Sequence, residues 1–535
     1  MAGFEKESCG PKFRLAAIIL IAVLAFASYA NILNGEFVWD DIEQVSENPV
    51  IKDIGNIPSF FTTDLWRLID NPTIGSYYYR PIFLLSFAVD YQLWGLNPFG
   101  YHLTNTALHL ISSLLVFAIG VKVLRSDIAA AFGAAIFAVH PAHVESVSWI
   151  SGRTDPLAAV FLLLSIFLYI IFTERGGASA LLALSASAAS FFLSLLTKEM
   201  GVTLPAILLL FVISFMGRRD AKKGLAAIAL YVAALVLYFF IRSLMLGSAV
   251  GSVDAAPLDK RIYTSFGIIL DYIRILVLPV NLKTLYDVPV EGAINLKVIS
   301  SALALITIFT AASLAYFKDK RVFFLSLWFF VTIVPVSNIV PLRPTMMAER
   351  YLYIPSVGVA LLTGLAFSYL YRARVKAAIA LGVLVAAFLL YTTVERNRAW
   401  ASEIALFESM ATSAPLNAYT HHNLGDAYRK AGRMELAVQE WEKAVQIDPM
   451  HYEANNSLAN MALLRGDYAL AIERYNKALA VRPESAEAHY NLALALDGSG
   501  RPEEAAYHYR EFLKRAPAKF GDVIDEVRSR LGAGE

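Results

Sequence analysis

The chain is 535 residues long, 57% hydrophobic and only 17% charged, a balance that suits a polytopic membrane protein and not a soluble globular one. Its formal net charge of +1 offers no basic field, which excludes nucleic acid as a partner. The single cysteine, Cys9, excludes an internal disulfide framework and any multi-cysteine metal site.

The first apolar run, Phe13 to Asn31, follows Lys6, Lys12 and Arg14. It is long enough to cross a bilayer and lacks a small-residue cleavage site, so it reads as a retained anchor. A few residues beyond it, the stretch GEFVWDDIEQVSENPVI sets Asp40 and Asp41 side by side. Further runs near spanning length lie at 101–124, 128–148, 154–173, 178–196, 201–217, 223–246, 296–317, 321–340, 351–371 and 375–394. With the first, these predict an all-α bundle of about eleven spanning helices. Two more apolar segments are ambiguous: Pro81–Gly95 is short and carries Asp90, and Tyr263–Pro279 has Asp271 and Arg274 in its middle.

Loop charge arbitrates, because cytoplasmic loops collect Lys and Arg. If neither ambiguous segment crosses, Lys122/Arg125, Arg218/Arg219/Lys222/Lys223, Lys318/Lys320/Arg321 and Arg372/Arg374/Lys376 all share the side of the N-terminus. The 33–100 loop, with Asp40 and Asp41, then lies outside. A crossing by Tyr263–Pro279 would expose the last two clusters. Both segments are therefore expected as juxtamembrane helices on the exterior face.

After Tyr391 the composition becomes that of a soluble domain and a period emerges. Pro415, Pro449, Pro483 and Pro517 are 34 apart, and Leu424/Leu458/Leu492, Gly432/Gly466/Gly500 and Ala437/Ala471/Ala505 keep the same step. The pattern resembles the tetratricopeptide repeat, an α-solenoid whose helix pairs stack through small residues. The expected domains are a membrane module over 1–396 and repeats over 397–517, the latter with a leading half-repeat at 398–415. Full repeats follow at about 416–449, 450–483 and 484–517, then a C-terminal helix and tail over 518–535.

Several loops carry chemistry-bearing side chains. HPAHVESVSWISGRTDPLAAVF supplies His140, His143, Glu145, Arg153 and Asp155; SLLTKEMGVTLP supplies Lys198 and Glu199. RPTMMAERYLYIPSVG supplies Arg343, Glu349 and Arg350, and YYYRP supplies Arg80. Singly, each suits an interfacial anchor, and Asp40 or Asp41 would equally cap a short helix. Gathered on the exterior side, the cations suit a lipid phosphate and a carboxylate suits taking a proton from a hydroxyl. His140 and His143 with Glu145 lack a third ligand fixed by spacing, so hydrogen bonding is favoured there over a divalent metal, and no cofactor is indicated.

The ordered set has an acid pair in the first exterior loop, RP before a juxtamembrane helix, TDPL opening a later span, TKE after another and ERYLYIP before a late one. Together with the C-terminal repeats, it resembles the C-type integral-membrane glycosyltransferases. Within these it is most similar to the protein O-mannosyltransferase-like enzymes of the transmembrane and tetratricopeptide-repeat type. That resemblance implies a polyprenyl-phosphate-linked sugar donor, mannose favoured, entering from the membrane lipid on the periplasmic or luminal side. The acceptor would be a hydroxyl, Ser or Thr of a protein being favoured, and the repeats would engage protein.

It maps the catalytic acids to Asp40, its neighbour Asp41 and the second-loop Asp155. Arg80, Lys198 and Arg350 fall at the donor phosphate, with His140, His143, Glu145, Arg153 and Glu199 as substrate contacts. The mannosyltransferases proper usually have Asp-Glu where this chain has Asp-Asp, which leaves donor and acceptor open. A lipid or polysaccharide acceptor, or a non-enzymatic scaffold working through the repeats, are the competing readings. A transporter is disfavoured, since the predicted spans are nearly charge-free and show no repeated halves.

Overall fold

The computed structural model describes residues 8–65, 78–246, 256–340, 345–517 and 520–532; Lys6 and Arg343 lie outside them. The chain divides into two compact units, Met1–Ser402 and Glu403–Glu535, and among the described residues the regular structure is helical throughout, with no β-strand.

The first unit runs α1 Pro11–Tyr29, a short α2 Ile57–Phe60, α3 Pro81–Trp94, α4 Pro98–Leu124, α5 Asp127–Val139, α6 Val144–Ser148, α7 Thr154–Glu174 and α8 Gly177–Thr197. It continues with α9 Leu204–Phe215, α10 Arg218–Leu246, α11 Leu258–Val277, α12 Leu296–Leu314, α13 Lys320–Ile333, α14 Pro355–Ala373 and α15 Val375–Asn397. Eight of the expected spans fall on helices long and apolar enough to cross: α1, α4, α7, α8, α10, α12, α14 and α15. The protein is thus a multi-pass membrane protein.

The other three expected spans fall on shorter pieces, each for a local reason. Helix α5 stops at His140 because Pro141 has no amide to continue the ladder, and the chain bends by 51° into Pro141–Ser148. Helix α9 has 12 residues, its N-terminal side taken up by a 3-10 turn over Glu199–Thr203. Helix α13 has 14, opening on Lys320 and Arg321 and ending at a 3-10 turn that contains Pro335. The two ambiguous segments form α3 and α11. Helix α11 is amphipathic, with Ile268, Tyr272 and Ile275 buried and the Asp271–Arg274 ion pair on its exposed side.

Helices in lipid approach closely where side chains are small. A Cβ on Gly364 of α14 would meet the Ala129 carbonyl of α5 at 2.1 Å, and one on Gly133 of α5 would meet the Ala360 carbonyl at 2.8 Å.

The second unit is a stack of helix pairs: α16 Glu403–Ser413, then α17 Ala418–Lys430 with α18 Met434–Ile447, α19 Tyr452–Leu464 with α20 Tyr468–Val481, α21 Ala486–Gly498 with α22 Pro502–Arg515, and a closing α23 Gly521–Gly532. Gly432, Gly466 and Gly500 have φ of 74°, 76° and 78°, the left-handed turn that lets each first helix stop and its partner begin. Ala437, Ala471 and Ala505 are buried where the two helices touch. The prolines also contribute through their carbonyls. His421 bonds Pro415 O at 3.1 Å and Glu440 at 2.6 Å. One repeat later Asn455 bonds Pro449 O at 3.0 Å and Arg474 at 3.2 Å. In the last, His489 bonds Pro483 O at 3.0 Å and His508 at 2.9 Å. The period seen in the sequence is thus also a period of polar pairing.

The glycine contact gives a first prediction. Gly364→Ala forces α14 off α5 and costs about 1–3 kcal/mol, read as a lower melting temperature in detergent. Gly217→Ala, where a Cβ meets nothing within 4 Å, leaves that temperature unchanged.

Candidate active site

Adjacent acids in a tight turn project differently, and Asp40 and Asp41 take different duties. Asp41 is wholly buried. Its Oδ1 accepts from the Ser151 amide at 2.7 Å and the Ser151 hydroxyl at 2.6 Å, and its Oδ2 from the Val38 amide at 3.1 Å. Asp40 is half-buried and accepts no hydrogen bond from any described residue. Burial pushes the Asp40 carboxyl up to about 7, against the pull of the Arg350 charge. Burial also raises Asp41, against the bonds from Ser151 and Val38.

The cations gather from four separate stretches. Arg350 stands on the 3-10 turn Glu349–Leu352. Its amide donates to Glu145 Oε2 at 3.0 Å, its guanidinium pairs with Glu145 Oε1, and Nη2 donates to Thr345 at 3.1 Å. Burial opposes the Arg350 charge, but Glu145 outweighs it and raises the group above its usual value. Lys198, the residue after α8, places Nζ 2.5 Å from Asp155 Oδ1 in the first turn of α7. Asp155 Oδ2 is buried and makes no hydrogen bond with the described residues. Arg80 caps α3, lies 4.4 Å over the Tyr78 ring and pairs with Glu199 at 2.9 Å. Arg242 of α10 reaches the other oxygen of Glu199 at 3.1 Å and Tyr238 OH at 3.2 Å. Burial drives the Glu199 carboxyl up, but Arg80 and Arg242 prevail and hold it at about 2.

These pairs form one electrostatic cluster. Arg350 feels Glu145 and Asp155, and Lys198 feels Asp155, Arg80 and Arg350. Four cations, Arg80, Lys198, Arg242 and Arg350, are matched by three carboxylates, Glu145, Asp155 and Glu199. Asp40 stands at the Arg350 end.

His140, His143 and Arg153 are not brought to this cluster as open side chains. His140 uses Nε2 on Leu276 O at 3.2 Å and accepts the Ala142 amide on Nδ1. His143 uses its two nitrogens on Phe137 O and Ser356 Oγ. Arg153 is wholly buried, pairs with Asp90 at 2.5 Å, bonds Asn105 and Tyr101 O, and lies 4.7 Å over Phe87. All three pin loops to helices. Among the described residues, no three His, Cys, Asp or Glu side chains are placed to hold a metal.

Sequence reasoning missed Arg242, Ser151 and Arg396, which pairs with Glu349 at 2.7 Å. Arg242 had a signal, a charge inside an apolar run. Ser151 had none.

Models described as "Tetratricopeptide repeat" match residues 422–478 and 487–518, and one described as "TPR repeat" matches 459–500. Protein O-mannosyl-transferase F38B6.6 of Caenorhabditis elegans is 28% identical over 81% of this chain and 63% of its own length. Protein O-mannosyl-transferase TMTC1 of Homo sapiens is 27% identical over 85% of this chain and 58% of its own. TMTC4 of Mus musculus is 29% identical, over 79% and 65%.

Over most of its length the chain is similar to protein O-mannosyl-transferases. It spans about three fifths of the length of these relatives. Among solved structures, the Archaeoglobus fulgidus oligosaccharyltransferase aligns with a TM-score of 0.44 at 14% identity, over 76% of this chain and 59% of its own. ArnT from Cupriavidus metallidurans bound to undecaprenyl phosphate aligns with a TM-score of 0.42 at 13% identity, over 94% and 80%.

The division between the two acids is testable by stability alone. Asp41→Ala strands the buried Ser151 and Val38 donors, at about 1–3 kcal/mol for each unsatisfied group. Asp40→Ala loses no hydrogen bond. Thermal unfolding in nanodiscs should therefore show a clear drop for the first and none for the second.

Proposed function

We propose that the protein is a membrane glycosyltransferase that moves a sugar, mannose, from a polyprenyl-phosphate donor to a Ser or Thr hydroxyl of a protein acceptor. Asp40 is the base. The observation that carries this reading is the contrast within the acid pair: Asp41 is spent on Ser151 and Val38, whereas Asp40, beside Arg350, is open to accept a proton. The similarity to protein O-mannosyl-transferases supports mannose as the sugar and protein as the acceptor.

The chemistry follows from the roles. The acceptor hydroxyl is a weak nucleophile at neutral pH, so its proton passes to Asp40 as its oxygen bonds the anomeric carbon. The bond from that carbon to the phosphate oxygen breaks in the same displacement, which inverts the configuration. Polyprenyl phosphate leaves with the electron pair. Arg350, Lys198, Arg80 and Arg242 supply preorganised positive charge where that negative charge grows. Lys198 spends one N–H on Asp155, and an ammonium carries three. Asp155 and Glu145 hold these cations, while His140, His143 and Arg153 hold the loops behind them.

Asp40→Asn should fold and bind donor yet lose turnover by a factor of about 100 or more. The base must be ionised and its carboxyl sits up at about 7, so kcat/KM of the wild type should fall about tenfold per pH unit below that value. The sign is opposite for stability. A carboxyl raised in the folded state binds its proton more tightly there, so folding gains as pH falls through 7 towards the ordinary carboxylate range. A wild-type turnover from Asp40→Asn would remove the base role.

The reading places Asp40 and the repeats on the exterior side. In support, Glu36 N–H donates to Ala401 O at 3.0 Å, so α1 and α15 finish at the same end and an odd number of crossings separates the N-terminus from Ser402. A reporter active only outside the cytoplasm should work when fused after Asn97 or Pro449 and stay silent after Arg219. Silence at Pro449 beside activity at Asn97 would favour a cytoplasmic scaffold role for the repeats.

A further inference from the structure

Three indoles join parts of the chain that are far apart in sequence. Trp39 stacks on Trp149 with ring centroids 5.1 Å apart and planes 21° from parallel, and Trp149 stacks on Trp400 at 5.7 Å and 23°. Each stands next to something the site depends on. Trp39 immediately precedes Asp40 and holds φ of 56°, a left-handed backbone that a bulky residue rarely adopts. Trp149 lies two residues before Ser151, whose amide and hydroxyl hold Asp41, and its ring is 5.7 Å from the Arg350 guanidinium. Trp400, 1% exposed, sits in the last turn of the membrane unit, where Ala401 O accepts the Glu36 amide.

The Val38–Asp41 turn is closed by the Asp41 amide on Val38 O and the Val38 amide on Asp41 Oδ2, each at 3.1 Å, and Trp39 holds its left-handed φ inside it. A stacked aromatic pair is attractive beyond its buried area, so the Trp39–Trp149 contact helps hold the Trp39 ring where the turn places it. The last turn of the membrane unit is itself fixed by hydrogen bonds. Asn397 donates to Ser28 O and Asn31 Oδ1, each at 2.7 Å, and accepts from Ser148 Oγ at 2.8 Å. Trp400 is therefore a rigid end plate against which Trp149 and then Trp39 lie.

We propose that Trp400 is a positioning residue for Asp40. Through the stack Trp400–Trp149–Trp39, the segment by which the chain leaves the membrane unit fixes the backbone from which Asp40 projects. The catalytic consequence rests on the reading of Asp40 as the base; the mechanical one does not.

The experiment separates the two, using the full-length chain in lipid nanodiscs. Cys9 is the only cysteine, so Cys9→Ser with Glu43→Cys gives a single spin-label site on an exposed residue of the turn that follows Asp40. Trp400→Ala should mobilise that label in its paramagnetic resonance spectrum. In the unlabelled chain it should lower kcat for undecaprenyl-phosphate mannose and a Ser/Thr peptide by a factor of about 10 to 100, the cost of a displaced reacting group. Donor KM should stay within about twofold, and Trp400→Phe, which keeps a stacked ring, should recover most of the rate. If Trp400→Ala does not fold, Trp400→Leu keeps volume without the ring and takes its place. A label no more mobile than in the parent overturns the proposal whatever Asp40 does, as does a lost rate that appears wholly in donor KM. A mobilised label beside an active Asp40→Asn variant leaves the positioning role standing and removes only the base reading.

Discussion

The burial of one carboxylate organises the membrane unit's functional end. A buried carboxylate is tolerated only when its oxygens are supplied with donors, and Asp41 obtains them from Val38 three residues back and from Ser151, 110 residues on. That requirement ties the first loop to the second. It brings Asp40 within reach of the Arg350 field, and it sets the Trp39 ring against Trp149. Without Asp41 anchored, the turn that carries Asp40 would rely on the Trp39 stack and its own backbone bonds, because among the described residues nothing hydrogen-bonds the Asp40 carboxylate.

The cation cluster obeys the complementary rule. Every guanidinium or ammonium there already faces a carboxylate, and such partly buried pairs are weak contributors to stability, since desolvation consumes most of the attraction. Their value is in orientation. Glu145 grips Arg350 through both the amide and the guanidinium, and Glu199 holds Arg80 and Arg242 on opposite oxygens. Charges fixed in this way need no reorganisation when negative charge develops beside them. The arrangement also explains the burial of Arg153 and Asp90: they join α3, α4 and the start of α7 beneath the cluster.

Legibility in the sequence divided along physical lines. The repeats were legible because one chain displays the same local solution three times, and each recurring Gly and Ala has a local cause, a left-handed turn or a close helix contact. The spans were legible through hydropathy, which measures composition but not continuity, so the break at Pro141 and the short reach of α13 became visible only in three dimensions. Site residues were legible by type and side. Their division of labour was not, because Ser151 carries no distinguishing pattern, and because His140 and His143 bond the backbone carbonyls of Leu276 and Phe137, which any residue would supply. Arg242 stood out as a charge in an apolar helix, yet its partner Glu199 could be found only once α10 was packed against the turn after α8.

The charge count bears on what the cluster can receive. Four cations there face three carboxylates, and Asp40, raised to about 7, adds the fourth negative charge only when it is ionised. Glu199, held at about 2, stays ionised near neutrality and so keeps Arg80 and Arg242 paired. On the proposed mechanism, Arg350, which pulls on Asp40 in the resting state, would also face the leaving phosphate and so couple the two halves of the displacement through one guanidinium.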